Sequence, residues 1–573
     1  MIRRLLPYLL ALASGLAIAL AFPRMEWWPL AWVALVPLLA AAEGRTPRTA
    51  FFLGLVSGFA ANVVGFFWMN EMLVTFGHLP KVLSVPIVAL GAVYQALTYA
   101  AALAATAAAA RRFPSASPLV FPLFFTAFEA FHPILFPWYL GNCQYPFLQL
   151  IQVADLFGIS VVTFLVACGN VALYAVARRP AKWTRTAAVA ALPVVAALGY
   201  GAWRLPDVER SVAAADRLKL AVVEPEIGIF QEQKKEFPKG THALAIFRYN
   251  TLQLQWASAD LAKEHPDLIV WPESMYFPAL TVAARTPASP EFEEHSWWIP
   301  ADARALYQSA KPLPLSRSFP EGVLEDAELE DKDVNAVQRG FATPLLFGAT
   351  SGFLKNREDP NGSDSIRYNS AFAVDETGTI LGRYDKQYLL AFGEYIPLGE
   401  TFPFLYDWIP EAGHFSKGPE QAPIRFRGRS LGVLICYEDI IASHTRAVVE
   451  QGAEILLNMT NDAWFGKTQE AKQHFILALF RSIEHRRTLV RATTTGISGV
   501  VLPTGEVSRI TRPTGAETFV EDVPLMQTAT VYNMGGCYFP HTLLAISLAL
   551  LAICIRTGRR RCASEGPSPR KRS

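Results

Sequence analysis

Apolar positions run through the first third of the chain in long unbroken stretches, without the period-two or three-to-four spacing of soluble elements. Stretches near the roughly 20 residues that a bilayer core requires fall at about 5–22, 28–42, 50–70, 82–110, 118–136, 150–177 and 187–203, and an eighth at about 541–555. This pattern predicts eight membrane helices, the second short enough to be a buried or interfacial helix instead. From Leu218 the period changes. Short β-rich runs at 218–223, 268–271, 344–348, 368–374, 430–435 and 454–459 alternate with amphipathic helices at about 241–263 and 469–487, the pattern of an α/β domain with packed sheets. Between about 283 and 339 the pattern gives way to Pro, Ser and acid, which reads as an insertion with a flexible acidic part. The expected organisation is a seven-span region over 1–205, an α/β domain over 216–530, a last span over 540–556 and a basic tail over 557–573.

Charge sharpens this division. The first 203 residues hold 17 of the 102 charged side chains, and the whole chain is 18% charged against 51% hydrophobic. A soluble domain carries about 25% charged residues, so a purely cytosolic soluble protein is not expected. The net charge of +2 gives no field for nucleic acid, and no Walker loop, dinucleotide fingerprint or zinc-type Cys/His cluster occurs. No metal or cofactor is therefore expected. Six cysteines at irregular spacing do not make a disulfide scaffold in a chain of this length.

Basic residues between the apolar stretches set the orientation, because Lys and Arg near membrane ends stay on the cytoplasmic side. Alternate loops carry Arg3, Arg4, Arg45, Arg48, Arg111, Arg112, Arg178, Arg179, Lys182 and Arg185, ten in all, while the intervening loops carry two, Arg24 and Lys81. The N-terminus is expected inside, the α/β domain outside, and the tail, with seven more basic residues from Arg556 to Arg572, inside again. Glu71, Glu129 and Asp155 interrupt apolar runs toward the outer face, either as structural hydrogen-bonding groups or as the lining of a cavity.

Three apparent strands end in reactive groups. Leu268-Ile269-Val270-Trp271-Pro272-Glu273 finishes in a carboxylate, with a proline that stops the strand. Arg383-Tyr384-Asp385-Lys386 delivers an amine and is followed by Phe392-Gly393-Glu394-Tyr395. Leu431-Gly432-Val433-Leu434-Ile435-Cys436-Tyr437-Glu438-Asp439 delivers a thiol. Each alone reads equally as a cap, a solvated lysine and an inert core cysteine. Together they offer a nucleophile, a group to take its proton and a cation for an oxyanion.

Those motifs, with Asn461-Asp462-Ala463-Trp464-Phe465-Gly466, resemble the apolipoprotein N-acyltransferase family, the membrane branch of the nitrilase superfamily, over almost the whole chain. The resemblance implies a multi-span helical membrane bundle joined to a nitrilase-like α-β-β-α sandwich. It implies a ping-pong transfer at the outer face of a bacterial inner membrane. A phospholipid would donate an acyl chain to Cys436, and the free α-amine of a diacylglyceryl apolipoprotein would receive it. By the same resemblance Glu273 is the general base and Lys386 the oxyanion cation, with Glu394, Tyr437 and Glu438 supporting. Phe392, Phe404, Trp408, Trp464 and Phe465 are candidates for facing acyl chains and membrane lipids, and a monomer is expected. One departure stands out. The loop Glu224-Pro225-Glu226-Ile227-Gly228-Ile229-Phe230 has no tryptophan where the family usually carries one, and Phe230 is the substitute on offer. A membrane-tethered amidase using the same residues is the rival reading, although a single span would suffice to tether it. A transporter would need polar residues through the full depth of the bundle.

The ten-to-two asymmetry yields a direct expectation. A reporter active only outside the cytoplasm should work when fused near Gly362 and fail when fused after Arg572; the opposite result at either position would overturn the orientation.

Overall fold

The computed structural model describes residues 2–564 apart from 24, 76, 78, 114–116, 135, 179, 229–232, 236, 238, 240–242, 283–307, 310–336, 355–364, 400 and 409–412. Most of the expected insertion, Phe230 and the end of the basic tail lie outside the described residues. The chain divides into two compact units, one of residues 1–74, 78–207 and 529–573, the other of 75–77 and 208–528.

The first unit is helical. Among the described residues, five helices are long and apolar enough to cross a membrane: Pro47–Gly65, Lys81–Ala110, Ile159–Arg178, Thr184–Ala214 and Gly536–Arg556. Other expected spans are shorter. The run at 28–42 is a tight turn, Trp28–Trp32, followed by the seven-residue helix Val36–Ala42. Each piece has a proline in its first turn, where the missing N–H is harmless. The run at 118–136 yields the helix Phe121–Phe131 of 11 residues, which stops with His132 extended because a residue before proline is pushed out of the helical region. Helices Pro47–Gly65 and Lys81–Ala110 approach closely through Gly54 and Gly58. A Cβ at Gly54 would lie 2.5 Å from the Tyr99 carbonyl oxygen, and one at Gly58 2.7 Å from Ala96 Cα. This is the small-residue spacing that lets membrane helices pack backbone to backbone. The buried Asp155 accepts hydrogen bonds from Arg204 Nε and Tyr200 Oη, both at 2.8 Å. Glu129 accepts from the Leu140 N–H at 2.8 Å and the Thr163 hydroxyl at 2.7 Å. Both acids therefore have structural partners within this unit, and Glu71 is exposed.

The second unit is an α/β fold with two sheets. Its strands are β1 (Arg217–Glu224), β2 (Leu268–Val270), β3 (Tyr276–Val282), the short pair β4 (Gln308–Ser309) and β5 (Gln338–Arg339), β6 (Leu345–Leu354), β7 (Ser365–Val374), β8 (Ile380–Asp385), β9 (Ile424–Phe426), β10 (Arg429–Ile435), β11 (Ile455–Thr460), β12 (Thr488–Thr493), β13 (Gly499–Val501), β14 (Val507–Ile510) and β15 (Glu517–Pro524). One sheet has the order β15-β1-β2-β6-β7-β8, with β3 beside β6; the other runs β14-β13-β12-β11-β10-β9. Alternation along the strands builds the layers. Leu218, Leu220 and Val222 of β1 join Leu431, Val433 and Ile435 of β10 in one core, so the sheets pack face to face. The opposite face of the first sheet, with Ala221, Val223, Ile269 and Phe347, is covered by Leu254 and Leu261 of helix Ala243–Leu261. Helices Ala442–Glu450 and Glu470–His485 pack against the second sheet.

Gly348 of β6 has no room for a side chain. A Cβ there would lie 2.5 Å from the Ser274 backbone nitrogen and 2.8 Å from Glu273 Cα. Gly348→Ala should therefore lower stability by about 1 to 3 kcal/mol through overpacking. It should also displace the backbone that carries Glu273, which thermal unfolding and residual activity measured together would detect.

Candidate active site

β2 delivers the first carboxylate. Trp271 is fully buried, edge-on to Phe347, with its indole N–H on Ser258 Oγ at 2.8 Å. That anchor, followed by Pro272, ends the strand and turns Glu273 inward, where it is 7% exposed. β8 delivers Lys386. Its N–H extends the ladder to the Asn369 carbonyl at 2.9 Å, and its own carbonyl accepts from the Gly418 N–H at 2.7 Å. Lys386 is 1% exposed, so its ammonium must find acceptors in the protein.

Two carboxylates answer it. Lys386 Nζ lies 2.8 Å from Glu394 Oε2 and 3.4 Å from Glu273 Oε1. The shorter pair holds the amine, and the longer one leaves Glu273 more loosely engaged. Asn369 of β7 bridges the two acids, donating from Nδ2 to Glu273 Oε1 at 2.6 Å and to Glu394 Oε1 at 2.8 Å. Glu394 is fixed by a tight loop in which its Oε2 also accepts the Leu390 N–H at 2.8 Å. Burial and the opposite charges act against each other on Lys386, and Glu394 and Glu273 win: its proton is held well above the ordinary range. Burial raises Glu273 above the usual carboxylate range, against the pull of Lys386.

β10 delivers Cys436, 6% exposed and in the left-handed region at φ +50. Such a backbone is costly for a non-glycine residue and marks a tight turn that thrusts a side chain forward. Burial pushes the thiol well above its ordinary range, and Glu273 and Glu394 push it further. Lys386 and a hydrogen bond with the Thr460 hydroxyl oppose them. The resting Cys436 is thus a neutral thiol within the field of the Glu-Lys-Glu set.

Glu438 ties the lysine loop to the cysteine turn. Its Oε1 accepts the N–H groups of Gln387 (2.6 Å) and Tyr388 (3.0 Å), its Oε2 accepts that of Ile435 (2.8 Å), and the Tyr384 hydroxyl donates to it at 2.8 Å. His444 Nε2 lies 2.9 Å from the same hydroxyl. Burial brings Glu438 up to about 7 in spite of these donors, and burial lowers His444 to about 4, so the imidazole is neutral.

The structure thus brings Glu273, Lys386, Glu394 and Cys436 into one electrostatic cluster, with Glu438 beside it. Tyr437 is partly buried against the core between the sheets. Among the apolar candidates, Phe392 and Phe404 are exposed at 52% and 49%. Trp464 is half-buried, and the Trp408 side chain lies outside the described residues. Phe465 differs from the expectation of a lipid-facing side chain: at 2% exposed it packs inward beneath its loop. Sequence reasoning missed Asn369 and Thr460. The available signal for Asn369 was an asparagine in the middle of the strand pattern of β7. Asp462, Glu470 and His474 bring potential ligand atoms within 4.8 Å of one another. The Arg491 guanidinium already occupies Asp462 and His474, at 2.9 Å and 2.8 Å, which makes this a charge network and a poor cation site.

Residues 244–531, which hold this strand-end cysteine, lysine and two glutamates in a two-sheet unit, match the carbon-nitrogen hydrolase family. Residues 14–172 match the apolipoprotein N-acyltransferase N-terminal domain. The apolipoprotein N-acyltransferase of Geobacter metallireducens is 30% identical over 560 residues, covering 96% of this chain and 95% of that protein. That of Bdellovibrio bacteriovorus is 28% identical over 522 residues, covering 87% and 84%. Among solved structures, an amidase from Nesterenkonia sp. aligns at 19% identity and a TM-score of 0.31, over 54% of this chain and 91% of its own. The chain belongs to the apolipoprotein N-acyltransferase family.

The thiol's surroundings fix the sign of two pH effects. Glu273→Gln removes a negative charge and should lower the pH midpoint of Cys436 alkylation by iodoacetamide, whereas Lys386→Met should raise it. A midpoint unmoved in both variants would show that the thiol senses neither charge.

Proposed function

We propose that this membrane protein transfers an acyl chain from a phospholipid, through a thioester on Cys436, to the free α-amine of a diacylglyceryl-cysteine at the N-terminus of an apolipoprotein. The observation that carries this reading is the reach of the similarity to acyltransferases. It covers 96% of the chain, apolar helices included, and is not confined to the hydrolase-like unit. A tethered amidase gives no reason for that.

In the first step Cys436 Sγ attacks the ester carbonyl while Glu273 takes the thiol proton. Among the described residues both contacts to Glu273 fall on Oε1, which leaves Oε2 for that proton. Lys386 stabilises the oxyanion. The ester C–O bond breaks, and the departing lysophospholipid alkoxide takes the proton back from Glu273. In the second step the acceptor amine attacks the thioester, an amide N–C bond forms, the C–S bond breaks, and the amine proton passes through Glu273 to the leaving thiolate. Glu394 keeps Lys386 paired and charged in the interval when Glu273 is neutral. A thioester lies above an amide in free energy, so no nucleotide is consumed. The exposed Tyr388, Phe392, Leu398, Phe402 and Phe404 give the loop after Lys386 an apolar surface suited to acyl chains.

In this reading the chain spans the membrane eight times, the shorter helices included. Both termini are cytoplasmic, residues 216–530 form the catalytic domain on the outer side, the insertion at 283–339 is a surface loop, and the enzyme works as a monomer.

Intact-mass measurement of the full chain incubated with phospholipid vesicles should show one added acyl mass on Cys436 with release of lysophospholipid. A diacylglyceryl lipopeptide with a free amine should then discharge it. Cys436→Ala should form no adduct. Ammonia release from small amides without an acyl adduct would replace this reading with the amidase.

A further inference from the structure

A second buried network lies behind the nucleophile, and the steps above do not use it. Parallel pairing sets Leu434 of β10 opposite Asn458 of β11, and Asn458 opposite Arg491 of β12. One row of the second sheet therefore carries an asparagine and an arginine toward the turn that holds Cys436. Asn458 Nδ2 donates to the Cys436 carbonyl at 3.1 Å, and Asn458 Oδ1 accepts from Arg491 Nη1 at 2.9 Å. Arg491 also donates to Asp439 Oδ2 at 2.5 Å, within the same turn as Cys436, and to Asp462 Oδ2 at 2.9 Å. His474 closes the ring, with Nε2 2.9 Å from Asp439 Oδ1 and Nδ1 3.0 Å from Asp462 Oδ1. Asn458, Arg491, Asp439, Asp462 and His474 are all at most 1% exposed.

Taking this many charges out of water does not by itself stabilise a fold, since apolar residues of the same volume serve as well or better. The network's contact with Cys436 offers a reason for it. A residue at φ +50 keeps that conformation only where its surroundings over-determine it. A peptide is planar, so a hydrogen bond that fixes the Cys436 carbonyl also fixes the direction of the Tyr437 N–H.

We propose that Asn458, held by Arg491, is a positioning residue for acyl transfer: it locks the peptide after Cys436 so that Sγ and the Tyr437 N–H meet the reacting carbonyl together. Arg491 and the Asp439-His474-Asp462 ring keep Asn458 and the turn in register. This rests on the reading of Cys436 as the acyl-carrying nucleophile.

The test uses the full chain in phospholipid vesicles, with Asn458→Leu and Asn458→Asp. The first removes the amide at similar volume. The second keeps an acceptor for Arg491 and loses the donor to Cys436, so it serves if the leucine variant fails to fold. Single-turnover acylation of Cys436, followed by intact mass, should slow by roughly 100-fold, the scale of one lost oxyanion donor. The KM for phospholipid should stay at the parent value in both variants, and the pH midpoint of Cys436 alkylation should stay at the parent value in the uncharged Asn458→Leu, because the thiol's ionisation is set by charges, those of Glu273, Glu394 and Lys386. Acylation within about twofold of the parent in either folded variant would overturn the proposal. So would a loss in Asn458→Leu accompanied by an equal shift in its alkylation midpoint, which would mean that the network acts on charge and not on geometry. Failure of the underlying reading has a different signature, a parent enzyme with no adduct on Cys436, and would overturn both.

Discussion

A lysine ammonium buried to 1% exposure is the constraint around which the catalytic unit is arranged. Lys386 cannot remain charged there without acceptors, and the two it has come from 113 residues before it and 8 residues after it. Two carboxylates around one ammonium leave an excess negative charge that needs a donor, which Asn369 supplies to both. Asn369 in turn is fixed by β7, paired on one side with β6 and on the other with β8, which carries Lys386. The register of the first sheet, the positions of the charges and the neutral resting state of the thiol are consequences of one another.

The second sheet meets this arrangement through Glu438. A buried carboxylate that accepts N–H groups from the loop after β8 and from the end of β10 works as a covalent cross-link would, but through hydrogen bonds. It fixes the separation between the amine and the thiol across the layer of apolar side chains that joins the sheets. The neutral His444 behind Tyr384 fits that role, since it leaves Glu438 to those N–H donors.

Much of this was legible from sequence, for a physical reason. An apolar strand that ends abruptly in Glu, Lys or Cys announces a group at the carboxyl edge of a sheet, and Glu273, Lys386 and Cys436 all sit at such ends. Asn369, Asn458 and Arg491 lie inside strands, where a polar side chain reads as facing water. Only the partner layer turns them inward, and that layer is a tertiary fact. The six apparent strands of the α/β region correspond to β1, β2, β6, β7, β10 and β11, whereas β3, β9 and β12 to β15 went unmarked. The apolar stretches at 28–42 and 118–136 carry enough hydrophobic length on paper. Their prolines, visible in the sequence, break them into pieces too short to be counted as spans by length alone.

The high proton affinity of Cys436 bears on how the enzyme survives as well as on how it reacts. Peroxides, disulfides and electrophiles attack the thiolate and largely spare the thiol. A cysteine kept protonated by burial and by two carboxylates is therefore slow to oxidise while idle. In the proposed mechanism it becomes nucleophilic only when Glu273 takes its proton as a bound ester is attacked. Shelf life and reactivity, which low-pKa catalytic cysteines trade against each other, would there be separated by the same charges.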